Sequence, residues 1–338
     1  MADLNPPPTP PPPAILPPEL WLTILPLIPY TRTQLTTLRL ISHHHNDLLT
    51  LHEKSLASHL KTQTFDPLTL QLFPGVAVES YRHLATLHTR LQTLQDLKAK
   101  WSAITTAAGG TANTNTNREL AWVEGRYEAV FTAGILLLYR LQDTTSAGIA
   151  AGTHHIHSNS AEGTVLCPHC AKLALIASLP ASSLACLLFV LVAAVKILRV
   201  YGPDPINARW CKEDLEIRSE VELACEEVLL ERGPGVFMGL LVLGEEGGWA
   251  LSVLQAEIAG MGDRQQPFAS GRAKPATLIS ALRAALSEKT GCGKGQVVGR
   301  MWEILSGTKF DRLGEEGEMM GKLVRGEEVG GGGKRMGF

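Results

Sequence analysis

The chain has 338 residues, which is enough for one large domain or two modest ones. Its 31 lysines and arginines nearly balance its 33 aspartates and glutamates, and the net charge of −2 argues against a surface that binds nucleic acid by charge. Because its six cysteines are few for this length and its N-terminus lacks the charged and apolar segments of a signal peptide, we expect reduced thiols in the cytoplasm, the nucleus or both.

Residues 1–13 hold seven prolines, and this composition predicts a disordered tail of polyproline-II character. We interpret the tail as a solubilising spacer. The alternative is a ligand for an SH3-type or WW-type domain, because such domains bind extended proline-rich segments.

Residues 14–62 carry the pattern of several short amphipathic helices. Pro17 and Pro18 lack amide hydrogens and suit the entry to a helix, where the helix dipole also favours the anionic Glu19. A proline inside a helix costs about 3 kcal/mol, so Pro26 predicts that the first helix is short or kinks before Pro29. Apolar residues at helical spacing mark the faces that would pack together, namely Leu20, Ile24, Leu27, Ile28, Leu35, Leu38, Ile41, Leu48, Leu49, Leu51 and Leu56.

Two segments of this stretch resemble the recurring parts of an F-box, the helical module by which substrate receptors dock on the Skp adaptor of a cullin-based ubiquitin ligase. The first is Leu-Pro-Pro-Glu-Leu at positions 16–20, and the second is Leu-Thr-Thr-Leu-Arg-Leu-Ile-Ser at positions 35–42. The residues that follow, 46–49 and 52–56, look like the fungal version of the module. His45 stands where the family usually has a tryptophan or a phenylalanine, whose ring packs between the second and third helices.

The resemblance implies a substrate adaptor and not an enzyme. The module would bind a Skp-type adaptor and, through it, the cullin complex, which supplies the chemistry of ubiquitination to a protein client. No cofactor is expected. Exposure of Leu16, Pro17, Leu38 and Ile41 would favour this hypothesis. The residues expected to serve partner binding are Leu16, Pro17, Glu19, Leu20, Ile24, Leu25, Leu35, Leu38, Leu40, Ile41, Leu48 and Leu49.

Residues 63–325 predict a larger, irregular helical domain, so the whole chain is expected to be all-α. No stretch alternates with a period of two, and no repeat of roughly 20–50 residues appears. The leucine-rich or WD repeats that many F-box proteins use as substrate platforms are therefore excluded. Flexible loops are expected near 105–117 and 143–164, and a disordered glycine-rich tail is expected at 326–338.

The apolar stretch Leu173–Val195 supports a second hypothesis, a membrane-anchored helical protein. It has 23 residues without a charge, which is long enough to span a bilayer. Pro180 interrupts it, however, and the uninterrupted part, Leu184–Val195, has the length of a buried core helix. We favour a core helix around which the larger domain is built.

Cys167 and Cys170 support a third hypothesis, a zinc-binding protein. Their C-x-x-C spacing lets two thiolates meet one zinc ion, and His154, His155 and His157 could supply further ligands. Because the chain has no second C-x-x-C, we favour two half-buried thiols without a metal. The sequence also lacks a Gly-x-Ser-x-Gly elbow, a His-Glu-x-x-His motif and the Gly-x-x-x-x-Gly-Lys-Ser/Thr pattern of a phosphate-binding loop. These absences agree with a protein that is not a catalyst.

Overall fold

The computed structural model describes residues 16–28, 30–76, 78–108, 125–150, 167–207, 215–242, 247–265, 276–307 and 317–328. Helices hold 84% of these residues and none of them lies in a strand, which confirms the predicted all-α class. The predicted tail at 1–13 lies outside the described residues, as does most of the predicted tail at 326–338.

The chain divides into two compact units. The first takes Met1–Pro67 and Ala77–Thr86, and the second takes Leu68–Val76 and Leu87–Phe338. The first unit therefore extends beyond the predicted module at 14–62, because it includes a segment from later in the chain.

The described part of the first unit consists of four helices and the start of a later one. These are α1 (Pro18–Ile24), α2 (Arg32–Ile41), α3 (His43–Leu51), α4 (Glu53–Thr64) and, beyond α5 (Pro67–Gln71), the first six residues of α6 (Tyr81–Ala108). As predicted, α1 is short, and a 3₁₀ turn that contains Pro26 follows it. Thr31 caps α2 by accepting a hydrogen bond from the amide of Gln34 (3.1 Å). Ser42 is extended, so it ends α2 and caps α3.

The helices of the second unit beyond α6, among the described residues, are α7 (Glu128–Ala150), α8 (Pro168–Ser178), α9 (Ala181–Tyr201), α10 (Leu215–Arg232), α11 (Pro234–Leu241), α12 (Gly248–Gln265), α13 (Leu278–Thr290), α14 (Val297–Gly307) and α15 (Gly317–Arg325). Helix α9 forms the centre of this unit, where it contacts α7, α10, α11, α13, α14 and α15.

The predicted break at Pro180 separates α8 from α9, so Leu173–Val195 is not one continuous helix. Every side chain from Ser183 to Leu191 is buried. Helix α9 is long and apolar enough to cross a membrane, and 78% of its most apolar window is buried inside the second unit. This burial is what the core-helix interpretation expected.

The two predicted loops begin later than their composition suggested. Helix α6 continues to Ala108, and α7 continues through Asp143 to Ala150. The polar residues at the start of the second predicted loop fit a helix because their side chains find partners: Asp143 pairs with Arg90, and the Thr144 hydroxyl donates to the carbonyl of Leu141 (2.7 Å). The rest of both predicted loops lies outside the described residues.

Helices α7 and α9 approach each other closely at Gly134. A Cβ atom added there would lie 2.6 Å from the carbonyl oxygen of Cys186 and 2.6 Å from Cβ of Val190. Because a main-chain oxygen and a Cβ atom cannot rotate out of the way, the contact requires a residue without a side chain.

We expect G134A to lower the free energy of unfolding by about 1–3 kcal/mol, the usual cost of overpacking a dense core. Gly299 on α14 is the matched control, because an added Cβ there meets nothing within 4 Å. G299A should raise stability by up to about 1 kcal/mol, since alanine favours a helix over glycine. Denaturant unfolding of both variants is the measurement, and a gain in stability from G134A would contradict the close contact.

Candidate functional site

The first unit exposes two groups of apolar side chains and, apart from these groups, Leu51. The first, the α1 group, is formed by Leu16, Leu20, Ile24 and Leu27 on and around α1, and the second, the α2 end, is formed by Leu40 and Ile41. The exposed fraction is 49% at Leu20, 72% at Leu27, 79% at Leu40 and 56% at Ile41. Leu20 and Ile24 are one helical turn apart and therefore lie on the same side of α1.

The residues predicted to serve partner binding fall into three classes of exposure. Leu25, Leu48 and Leu49 are buried in the unit, so they stabilise the module and do not present a surface themselves. Leu35 and Leu38 are half-buried. The remaining predicted residues are exposed, and these are Leu16, Pro17, Glu19, Leu20, Ile24, Leu40 and Ile41.

Leu35 and Leu38 line a small apolar cleft together with Tyr81, which comes from the start of α6. The amide of Tyr81 donates to the carboxylate of Glu53 (2.9 Å), and the guanidinium carbon of Arg39 lies 5.3 Å from the centre of the Tyr81 ring. The sequence analysis assigned Tyr81 to the larger helical domain at 63–325, because the apolar residues of α6 recur at helical spacing without a break.

Burial and the nearby charge of Glu53 raise the pKa of Tyr81, although Arg39 acts in the opposite direction. The hydroxyl therefore stays protonated at neutral pH. It is buried and has no hydrogen-bond partner among the described residues. The tyrosine thus contributes an apolar wall to the cleft and no charge.

His45 packs against α1. Its ring lies 4.4 Å from the ring of Trp21 in an edge-on arrangement (76°), and its Nδ1 lies 2.7 Å from the hydroxyl oxygen of Ser42. The Nε2 atom is buried and finds no hydrogen-bond partner in the part of the chain that the structure describes. The F-box resemblance implied packing between the second and third helices, and it did not identify Trp21 as the contact.

We expect H45F to raise the free energy of unfolding by about 1 kcal/mol or less, the scale of a well-tolerated core change. Phenylalanine keeps a ring against Trp21 and removes the unpartnered Nε2, while Ser42 still caps α3 through the backbone amide of residue 45. Thermal unfolding beside an adaptor titration is the measurement, and the affinity should not change. A fall in both quantities would show that His45 does not occupy the aromatic position that the F-box resemblance assigns to it.

The thiol pair of the zinc hypothesis lies in the second unit, at the start of α8. The sulfur atoms of Cys167 and Cys170 are 2.9 Å apart. Among the described residues there is no group of three or more histidine, cysteine or acidic side chains that could hold a metal ion. His154, His155 and His157, which were considered as further ligands, lie outside the described residues.

Comparison of the chain with protein-family models, with curated proteins and with solved structures gives no match. Of the eleven large hydrophobic side chains that are exposed in the described part of the chain, seven lie in the first unit.

Proposed function

We propose that the first unit is an F-box-type module that docks on a Skp-type adaptor, so that the protein recruits a client to a cullin-based ubiquitin ligase. One observation carries the proposal. The residues that the F-box resemblance assigns to partner binding include five of the exposed apolar residues of the unit, which are Leu16, Leu20, Ile24, Leu40 and Ile41.

Burial of these five side chains against a partner would supply binding energy. Full burial of a leucine or isoleucine side chain contributes about 1.5–3 kcal/mol relative to leaving it exposed. Single exposed apolar residues are common, but several on and around one short helix, as at α1, are typical of an interface. The exposed Glu19, in the first turn of α1, places a charge beside the apolar residues, as expected at the polar rim of an interface.

The interior of the unit supports this assignment by fixing the two helices that carry the exposed residues. Buried Leu25, Leu48 and Leu49 hold the module together. A unit of this length has a small core, so a bound partner would add to its stability.

The second unit would hold the client. In this proposal the protein is not an enzyme and needs no cofactor, because the cullin complex supplies the chemistry. Its place of action is the cytoplasm, the nucleus or both, where the thiols of the chain would be kept reduced.

Co-purification from cells tests the proposal. Tagged full-length protein should retain a Skp-type adaptor and a cullin, whereas a variant that combines Leu16→Ala with Pro17→Ser should lose both. Leu51→Ala is the matched control, because Leu51 is an exposed leucine of the same unit outside the predicted set. Full-length protein that never retains the adaptor would overturn the proposal.

A further inference from the structure

Cys167 and Cys170 form a pair of free thiols in direct contact. Cys167 is the N-cap of α8, Pro168 follows it, and Cys170 lies one turn later. The sulfur atom of Cys167 lies 2.9 Å from that of Cys170 and also accepts a hydrogen bond from the Cys170 amide (3.3 Å). Cys170 is exposed and Cys167 is half-buried, so a small reagent in solvent can reach the pair.

The first two turns of α8 are fixed on the second unit by contacts on either side of the thiols. Nε2 of His169 lies 2.9 Å from the carbonyl oxygen of Ala276, just before α13. The ammonium of Lys172 is buried and donates to the carbonyl oxygens of Leu230 (3.3 Å) and Glu231 (2.5 Å) at the end of α10. These contacts hold the turn that places the two sulfur atoms side by side.

We propose that Cys167 and Cys170 form a dithiol site that reacts with low-molecular-weight disulfides and closes an intramolecular disulfide. The proposal is independent of the docking function of the first unit. Two thiols in contact at the start of a helix have the geometry that thiol–disulfide exchange needs, because the resolving thiol is already beside the attacking one.

The two thiols have different roles in this exchange. The contact with the Cys170 side chain, followed by backbone hydrogen bonds, lowers the pKa of Cys167, whereas the contact with the Cys167 side chain and burial raise the pKa of Cys170. Cys167 is the N-cap of α8, where its sulfur accepts a hydrogen bond from the Cys170 amide and the start of the helix favours a thiolate. Cys167 is therefore the attacking thiolate, and Cys170 is the resolving thiol.

The reaction balances in two steps. The Cys167 thiolate attacks one sulfur of the small disulfide, whose S–S bond breaks and releases one small thiolate. Cys170 then loses its proton and attacks the sulfur of Cys167, which releases the second small thiolate. The protein loses two electrons and two protons, and the small disulfide is reduced to two thiols. The sulfur atoms must close from 2.9 Å to about 2.05 Å to form the bond.

A structural zinc ion fits the described residues less well. Such a site takes four ligands, and the described residues provide no group of three or more that includes this pair. Two of the other three described thiols offer a contrast within the same protein, because Cys186 and Cys225 are buried and burial raises the pKa of each.

The test treats folded full-length protein with oxidised glutathione, blocks the remaining thiols by alkylation and maps each cysteine by mass spectrometry. Wild type should carry an internal Cys167–Cys170 disulfide, and C170S should instead keep glutathione on Cys167. C292S is the matched control, because Cys292 is partly exposed and outside the pair. Its replacement should leave the internal disulfide unchanged.

The pH profile of alkylation supplies a second readout. The apparent pKa of Cys167 should rise in C170A, because the largest cause of its lowering is the Cys170 side chain. Circular dichroism of each variant confirms that it is folded. Separate glutathione adducts on both cysteines of wild type would overturn the proposal, as would reaction of neither.

Discussion

Replacing Arg90 with alanine should lower the free energy of unfolding by about 3–5 kcal/mol, because the change leaves a buried carboxylate without its partner. Arg90 on α6 makes two parallel hydrogen bonds to Asp143 on α7, at 2.5 and 3.0 Å. Only 8% of the arginine side chain and 13% of the aspartate side chain are exposed. The guanidinium carbon also lies 4.9 Å from the centre of the Tyr139 ring, so the variant loses a cation–π contact as well.

Denaturant unfolding measures the decrease in the free energy of unfolding of R90A, and two control variants identify its cause. The double variant R90M with D143L should recover much of the stability, because it removes both charges and fills the same space. R300A breaks an exposed pair with Glu303 and should change stability by about 0.5 kcal/mol or less. A loss of under about 1 kcal/mol in R90A would contradict the buried-pair account.

Replacing Leu20 and Leu40 together with aspartate should weaken binding to a Skp-type adaptor by about 100-fold or more. The two changes place a carboxylate in the α1 group and another at the α2 end, and each would have to lose its water in an apolar interface. Loss of a hot-spot residue near the centre of an interface costs about 2 kcal/mol or more, which is roughly 30-fold in affinity. Both side chains are exposed, so the fold of the unit should persist.

Retention of purified adaptor on immobilised full-length protein measures this effect. L51D is the matched control, because Leu51 is 81% exposed, belongs to the same unit and lies outside the predicted set. It should bind the adaptor as wild type does. Equal losses in L51D and in the double variant would mean that added charge, and not the position of the two leucines, weakens binding.

Local features of the fold were predictable because they depend on residues near in sequence. Pro26 and Pro180 determine where helices end, because proline lacks an amide hydrogen and its ring clashes with the preceding turn. Both effects act within one helical turn. The burial of α9 followed from its uninterrupted apolar composition. The F-box resemblance marked the exposed residues of α1 and α2 for partner binding, but it marked the buried Leu25, Leu48 and Leu49 as well, and periodicity did not separate the two groups.

Features that depend on distant pairing could not be predicted. The Arg90–Asp143 pair joins residues 53 positions apart, and no periodic pattern reveals such a partner. The polar residues from position 143 onward were predicted as a loop because the distant partner of Asp143 was not visible in the sequence. The first part of this stretch in fact continues α7. Tyr81 lies in the first unit although the predicted module ended at residue 62, because helix α6 crosses the boundary without a break in its apolar pattern.

Isothermal titration of purified full-length protein with a purified Skp-type adaptor tests the proposed docking function most directly. We expect a saturable one-to-one complex with a dissociation constant of about 1 µM or lower. The combined Leu20 and Leu40 variant should give no saturable heat over the same range, and L51D should match wild type. Absence of binding by folded wild-type protein would contradict the assignment of the first unit as an F-box-type module.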